Sequence, residues 1–73
     1  MNTFPEIDAR GLSCPQPVML TKKALEQQNG RAVVLVDDPM VLENVRLFAQ
    51  RKGLPVSVEE EGDTFRICIG GQD

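Results

Sequence analysis

The sequence predicts an α/β (α+β) two-layer sandwich of order β-α-β-α-β-β: a mixed four-stranded sheet with two helices on one face. Three features predict it. Two stretches carry apolar residues at the i, i+3, i+4, i+7 spacing of amphipathic helices, each preceded by a short extended run. The run between them, Ala32–Val36, is continuous and mostly β-branched, as in a strand covered on at least one face. The last third alternates apolar and polar residues twice, around Glu61-Gly62-Asp63, which reads as a hairpin.

Residues 4–8 form the predicted first strand, supported by Phe4 and Ile7. Gly11 and Ser13 punctuate the loop that follows. A helix is predicted over residues 15–29, with Pro17, Leu20, Thr21, Ala24 and Leu25 on its buried face and Met19 opposite them. Asn29-Gly30 ends it, because the left-handed conformation that closes helices suits these residues. Asp37-Asp38-Pro39 opens the second helix, with acidic residues at the positive end of the dipole and proline in the first turn. Val41, Leu42, Val45, Phe48 and Ala49 line its buried face, and Gly53 closes it. Residues 55–59 alternate, with Val56 and Val58 on one side. In the final strand, Phe65, Ile67 and Ile69 are expected inward, and Arg66 and Cys68 outward. The last four residues are expected to be loose. Right-handed crossovers place both helices on the same face of the sheet, leaving the other face to solvent or a partner.

At 73 residues the chain is expected to be a single domain, 1–73, with its core over about 4–69. An apolar content of 41% is too high for a disordered chain. No run approaches the ~18 apolar residues of a membrane span, and residues 1–6 lack the basic start and apolar stretch of a secretory signal. No membrane partner is expected. Cys14 and Cys68 lie far apart with no Cys-x-x-Cys, which points to a reduced, cytoplasmic protein rather than a disulfide scaffold. The net charge of −3 is uneven: residues 1–36 hold four basic and three acidic residues, and residues 37–73 hold four basic and eight acidic. No clustered basic face for nucleic acid is expected, so no direct nucleic-acid partner is either. The mildly basic first half leaves room for a small cationic patch near Cys14.

Cys14 carries the chemistry, within Gly11-Leu12-Ser13-Cys14-Pro15-Gln16-Pro17. A residue before proline is driven into the extended conformation, which is that of an N-cap. Pro15 is then the first helical residue, where its fixed φ fits and its missing N–H costs nothing. Of the first three helical positions only Gln16 keeps a backbone donor, with Val18 next. Free amides and the helix dipole favour an anion at the sulfur and lower a thiol's pKa from about 8.5. A rival local reading takes Ser13 and Gln16 as a capping box, with Cys14 one step inside the helix. Either way the thiol sits at the helix mouth. The chain has no histidine, so a Cys–His hydrolase pair is excluded. Metal ligands are too few for a zinc site, no phosphate loop is present, and no cofactor is expected. What remains is a thiol that accepts a group and passes it on.

The residues from Asp8 to Pro17, with their Cys-Pro-x-Pro motif, resemble the signature of the TusA-like (SirA-like) sulfur-carrier family. The resemblance continues through Val36-Asp37-Asp38-Pro39 and the final hairpin, over roughly residues 6–69. Members fold as β-α-β-α-β-β, in agreement with the order above. The resemblance implies that Cys14 takes a persulfide sulfur from a cysteine desulfurase or rhodanese-like donor and relays it to an acceptor protein, which in some members feeds tRNA thiolation. Around Glu43-Asn44-Val45 and Gly53 the chain is similar to the TusA-like domain of YedF-type proteins, which are linked to selenium metabolism and carry a second, DsrE-like domain. A selenium-handling role for the same cysteine, and a non-catalytic interaction module in which Cys14 only packs, are the alternatives.

Beside Cys14, the expected surroundings of the thiolate or persulfide are Arg10, Gly11, Pro15, Gln16 and Pro17, with Arg10 either shaping the loop or attracting an anionic sulfur. Met19, Lys22 and Lys23 are candidate partner contacts on the first helix. Cys68 is expected to be a strand residue without a role. Glu59-Glu60-Glu61 reads as a charged edge that discourages strand addition.

Overall fold

The structure, a computed structural model, describes residues 6–13, 16–27 and 30–70. Its elements are β1 (Glu6–Asp8), α1 (Gln16–Gln27), β2 (Ala32–Val36), α2 (Pro39–Arg51), β3 (Val56–Glu61) and β4 (Thr64–Ile69), in the predicted order. The strands form one mixed sheet, β1-β2-β4-β3. β2 is parallel to β1 and antiparallel to β4, which pairs antiparallel with β3.

The register explains the core. Val34 lies opposite Ile67, Val36 opposite Phe65, and Ala32 opposite Ile69. Alternation along each strand sends these residues to one face, where they pack with Ala24 and Leu25 of α1 and Val41, Val45 and Ala49 of α2. Val34, Val36, Val45, Ile67 and Ile69 are completely buried, and each such side chain contributes roughly 1.5–3 kcal/mol through its removal from water. Thr21 is the buried polar residue of this layer, and its hydroxyl donates to the Pro17 carbonyl at 2.8 Å. Leu35, Arg66, Cys68 and Ser57 alternate onto the opposite face, where Arg66 pairs with Glu6 at 2.7 Å.

Local chemistry sets the ends of α2. Asp38 is extended, and its carboxylate accepts from the Met40 amide at 2.8 Å; Pro39 follows as the first helical residue. At the other end the Leu54 amide donates to the Ala49 carbonyl and Gly53 to Gln50, with Gly53 at φ +78°. That pair of bonds is a Schellman motif.

Three expectations need correction. β3 runs on to Glu61, because Glu60 and Glu61 pair with Phe65 and Thr64 and leave Gly62 and Asp63 alone in the turn. Leu20 is 38% exposed rather than core. It lies on the flank of the α1 stripe, turned about 60° from Pro17 at the helical angle per residue, on the side of Gln16 and Lys23. Val58, on the outer strand β3, is exposed. Gly70 is not loose: it is buried, and its amide donates to the Pro55 carbonyl at 2.7 Å. The predicted start of the first strand, the Asn29 cap and residues 71–73 lie outside the described residues.

Candidate functional site

Cys14 and Pro15 lie outside the described residues, but the chain on both sides of them is placed. The site is therefore built from the loop that leaves β1 and from the start of α1. The Ala9 amide donates to the Leu35 carbonyl at 2.8 Å, extending the β1–β2 ladder by one residue. The chain then turns: the Leu12 amide returns to the Ala9 carbonyl at 3.3 Å, with Gly11 at φ +80°, a region that glycine enters freely.

Two carboxylates hold this turn. Asp8 accepts from the Arg10 backbone amide at 3.2 Å, from its Nε at 2.8 Å and from its Nη2 at 2.7 Å. The same guanidinium reaches across to Thr64 Oγ1 of β4 at 3.4 Å. Asp37, just past β2, accepts from the Gly11 amide at 3.2 Å. The hydrogen bonds from Arg10 hold the Asp8 carboxyl at a pKa of about 2, below its ordinary 3.8, and the Arg10 pKa is raised in return by its bonds to Asp8. A depressed carboxyl pKa stabilises the fold above the unfolded value and loses that contribution as pH falls. The Asp8–Arg10 clamp is thus expected to hold at neutral pH and to be lost between about pH 4 and pH 2. An NMR titration of the Asp8 carboxyl checks this, and Arg10→Gln is expected to return its midpoint toward 3.8.

The contacts shown by the predicted thiolate surroundings are with the loop and the core. Arg10 is spent on Asp8 and Thr64, and Gly11 on Asp37. Pro17 is buried against the core. The Gln16 amide, expected to be free for an anion, donates to the Ser13 carbonyl at 2.9 Å. The first turn of α1 holds no acidic side chain, so no carboxylate there opposes a negative charge at the helix mouth.

Two grooves flank the loop and share Leu12. One, about 310 Å³, is lined by Leu12, Gln16, Met19, Leu20 and Lys23 of the α1 side. The other, about 460 Å³, lies toward α2, between Ser13 and the Asp37, Asp38, Met40 and Asn44 side. Met19 is 62% exposed and Met40 74%. The structure thus brings Gln16, Met19 and Lys23 together. It places Lys22 elsewhere, in a groove between the helices with Leu25, Phe48 and Lys52. Among the described residues no group of three or more metal-ligating side chains is placed to hold a metal ion, and no helix is long and apolar enough to cross a membrane.

Sequence reasoning missed Asp37 and Thr64 at this site. Asp37 read as part of a helix start, and Thr64 lies 54 residues from Arg10. The available signal was that two acidic residues precede Pro39 where one suffices as cap.

The comparisons agree with this architecture. The profile of the family "Sulfurtransferase TusA" matches residues 5–71. A candidate sulfur carrier protein of Methanocaldococcus jannaschii is 43% identical over 67 residues, covering 88% of this chain and 89% of its own. The sulfur carrier protein TusA of Allochromatium vinosum is 34% identical over 67 residues, covering 88% of each chain. The crystal structure of a SirA-like protein from Desulfitobacterium hafniense superposes with a TM-score of 0.81 at 30% identity, over 92% of this chain and 97% of that one. With a profile match across nearly its whole length and that fold, the chain belongs to the TusA (SirA-like) sulfurtransferase family.

Proposed function

We propose that the chain is a sulfur carrier in which Cys14 accepts a persulfide sulfur from a cysteine desulfurase or rhodanese-like donor and passes it to an acceptor protein. The observation that carries this reading is the Cys14-Pro15-Gln16-Pro17 motif, whose last two residues begin α1, in a chain without histidine. The Cys14 thiolate attacks the terminal sulfur of the donor persulfide. A new S–S bond forms on Cys14, the donor's S–S bond breaks, and the donor leaves as a thiolate. One S–S bond replaces another, so no outside oxidant or reductant is needed. The acceptor thiolate repeats the step on Cys14. Arg10, Gly11, Gln16 and Pro17 act by shaping the loop, and Pro15 by fixing the backbone next to the sulfur. The relay works in a reducing compartment such as the cytoplasm, and its acceptors lie on the way to tRNA thiolation or related sulfur trafficking.

Incubation with a desulfurase and cysteine, followed by intact-mass measurement, tests the proposal. Wild type and Cys68→Ser are each expected to gain one sulfur. No gain with any donor would overturn it. The groove beside α1 supplies the docking contact in this reading, with Met19 as apolar anchor and Lys23 at its rim; Lys22 adds charge further along the helix. Rim charges act mainly on association rate and its salt dependence. Lys23→Glu is therefore expected to raise the KM for the donor several-fold at low salt, with kcat nearly unchanged and the difference fading at high salt.

A further inference from the structure

We infer that Asp37 is a positioning residue for Cys14, holding the cysteine loop to the end of β2 through the Gly11 amide. The inference rests on the sulfur-carrier reading. Asp37 is not needed to start α2. Asp38 does that, with its carboxylate on the Met40 amide at 2.8 Å and its carbonyl accepting from the Leu42 amide at 2.9 Å. The Asp37 carboxylate instead reaches 26 residues back along the chain, to Gly11. Gly11 precedes Cys14 by three residues, and its positive φ is the bend that sends the chain toward α1. On the far side of the cysteine, the Gln16 amide on the Ser13 carbonyl fixes the start of the helix. The described residues on either side of position 14 are thus held by a backbone bond, Gln16 to Ser13, and by a carboxylate tether, Gly11 to Asp37, and of these two the tether alone depends on a side chain.

The charge of the tether is offset locally. Arg10 is drawn to Asp8 first and also feels the charge of Asp37. An acceptor at position 37 is what the geometry needs, and a charge is not. Asn keeps an amide oxygen able to accept from Gly11; Ala does not. A transfer reaction demands that the sulfur be aligned with the donor's S–S bond, and small misplacements are costly in rate.

Asp37→Ala and Asp37→Asn decide the matter in a Cys68→Ser background. The readouts are the rate of Cys14 alkylation by iodoacetamide at neutral pH, single-turnover sulfur transfer from a persulfide-loaded desulfurase, the Gly11 amide NMR resonance and Tm. Asp37→Ala is expected to shift the Gly11 resonance and slow transfer about tenfold, the scale of a lost hydrogen bond to a charged group. Asp37→Asn is expected to restore transfer to within about threefold of wild type. Transfer at the wild-type rate in Asp37→Ala overturns the inference, and so does failure of Asp37→Asn to rescue. Should Asp37→Ala not fold, Asp37→Ser, whose hydroxyl is too short to reach Gly11, takes its place. If wild-type Cys14 takes no sulfur at all, the carrier reading fails, and the alkylation rates and Gly11 resonance still decide the tether.

Discussion

Gly70→Ala is expected to leave the chain largely unfolded at room temperature, whereas Gly53→Ala lowers Tm by only a few degrees. Both glycines have positive φ, +66° and +78°, and an L-residue there costs roughly 1–2 kcal/mol. The difference lies in the surroundings. A Cβ at Gly53 meets nothing within 4 Å. A Cβ at Gly70 overlaps the Gly30 carbonyl oxygen, which is backbone and has no rotamer with which to move aside. Gly30 is itself held by its amide bond to the Leu25 carbonyl at 2.8 Å, and Gly70 by its bond to Pro55 at 2.7 Å. Relief requires breaking one of these or parting the end of β4 from the end of β2, where Ala32 and Ile69 are fully buried partners. A domain this small has roughly 3–5 kcal/mol to lose, and strain plus a broken buried bond consumes it. Far-UV circular dichroism and a urea midpoint measure the outcome, and a folded Gly70→Ala with a wild-type midpoint would refute the close-approach argument.

That contact was invisible in the sequence for a physical reason. Gly70 sits at the end of the chain among polar and small residues, so local chemistry reads it as loose. Its burial comes from the sheet register, which brings residue 70 beside residue 30. The same holds for Arg10 and Thr64, and for Gly11 and Asp37: each pair is made by strand order, and strand order is not a local property. What was legible was local. Helix periodicity, the Asp38-Pro39 start, the Gly53 stop and the alternation about Gly62 were each enough to place an element. Leu20 shows where periodicity blurs: the edge of an apolar stripe cannot tell a core neighbour from a groove.

Charge follows the same rule. By chain halves it looked like a basic first half and an acidic second. In the fold it separates by layer. Helices α1 and α2 with the Lys52 cap carry Lys22, Lys23, Arg46, Arg51 and Lys52 against Glu26 and Glu43, while the strands carry Glu6, Asp8, Glu59, Glu60 and Glu61 against Arg66. The helix layer is net positive and the sheet layer net negative, so an acidic partner surface is steered to the helix side of the molecule.

Cys14→Ser is expected to abolish sulfur loading altogether, with no compensation from Cys68. Serine preserves size and suits the extended backbone that a following proline demands, so the variant should fold and keep its Tm. It removes the one property the relay needs. A hydroxyl is far too weak an acid to supply an anion at neutral pH, and an oxygen does not replace sulfur in a persulfide. Cys68 is no reserve: it lies on β4 between Val33 and Ser57, on the sheet face away from the helices, where nothing resembles a helix mouth. The loop between β1 and α1 instead meets the far end of β2, through Ala9 on Leu35 and Gly11 on Asp37. Loading is therefore predicted to be all or none at a single thiol, read as one sulfur by intact mass in wild type and none in Cys14→Ser. Alkylation of Cys14 should rise with pH as its thiolate forms, since the thiolate is the nucleophile. A sulfur gained by Cys14→Ser, or alkylation of Cys14 that is slow and flat across neutral pH, would instead favour a cysteine that only packs.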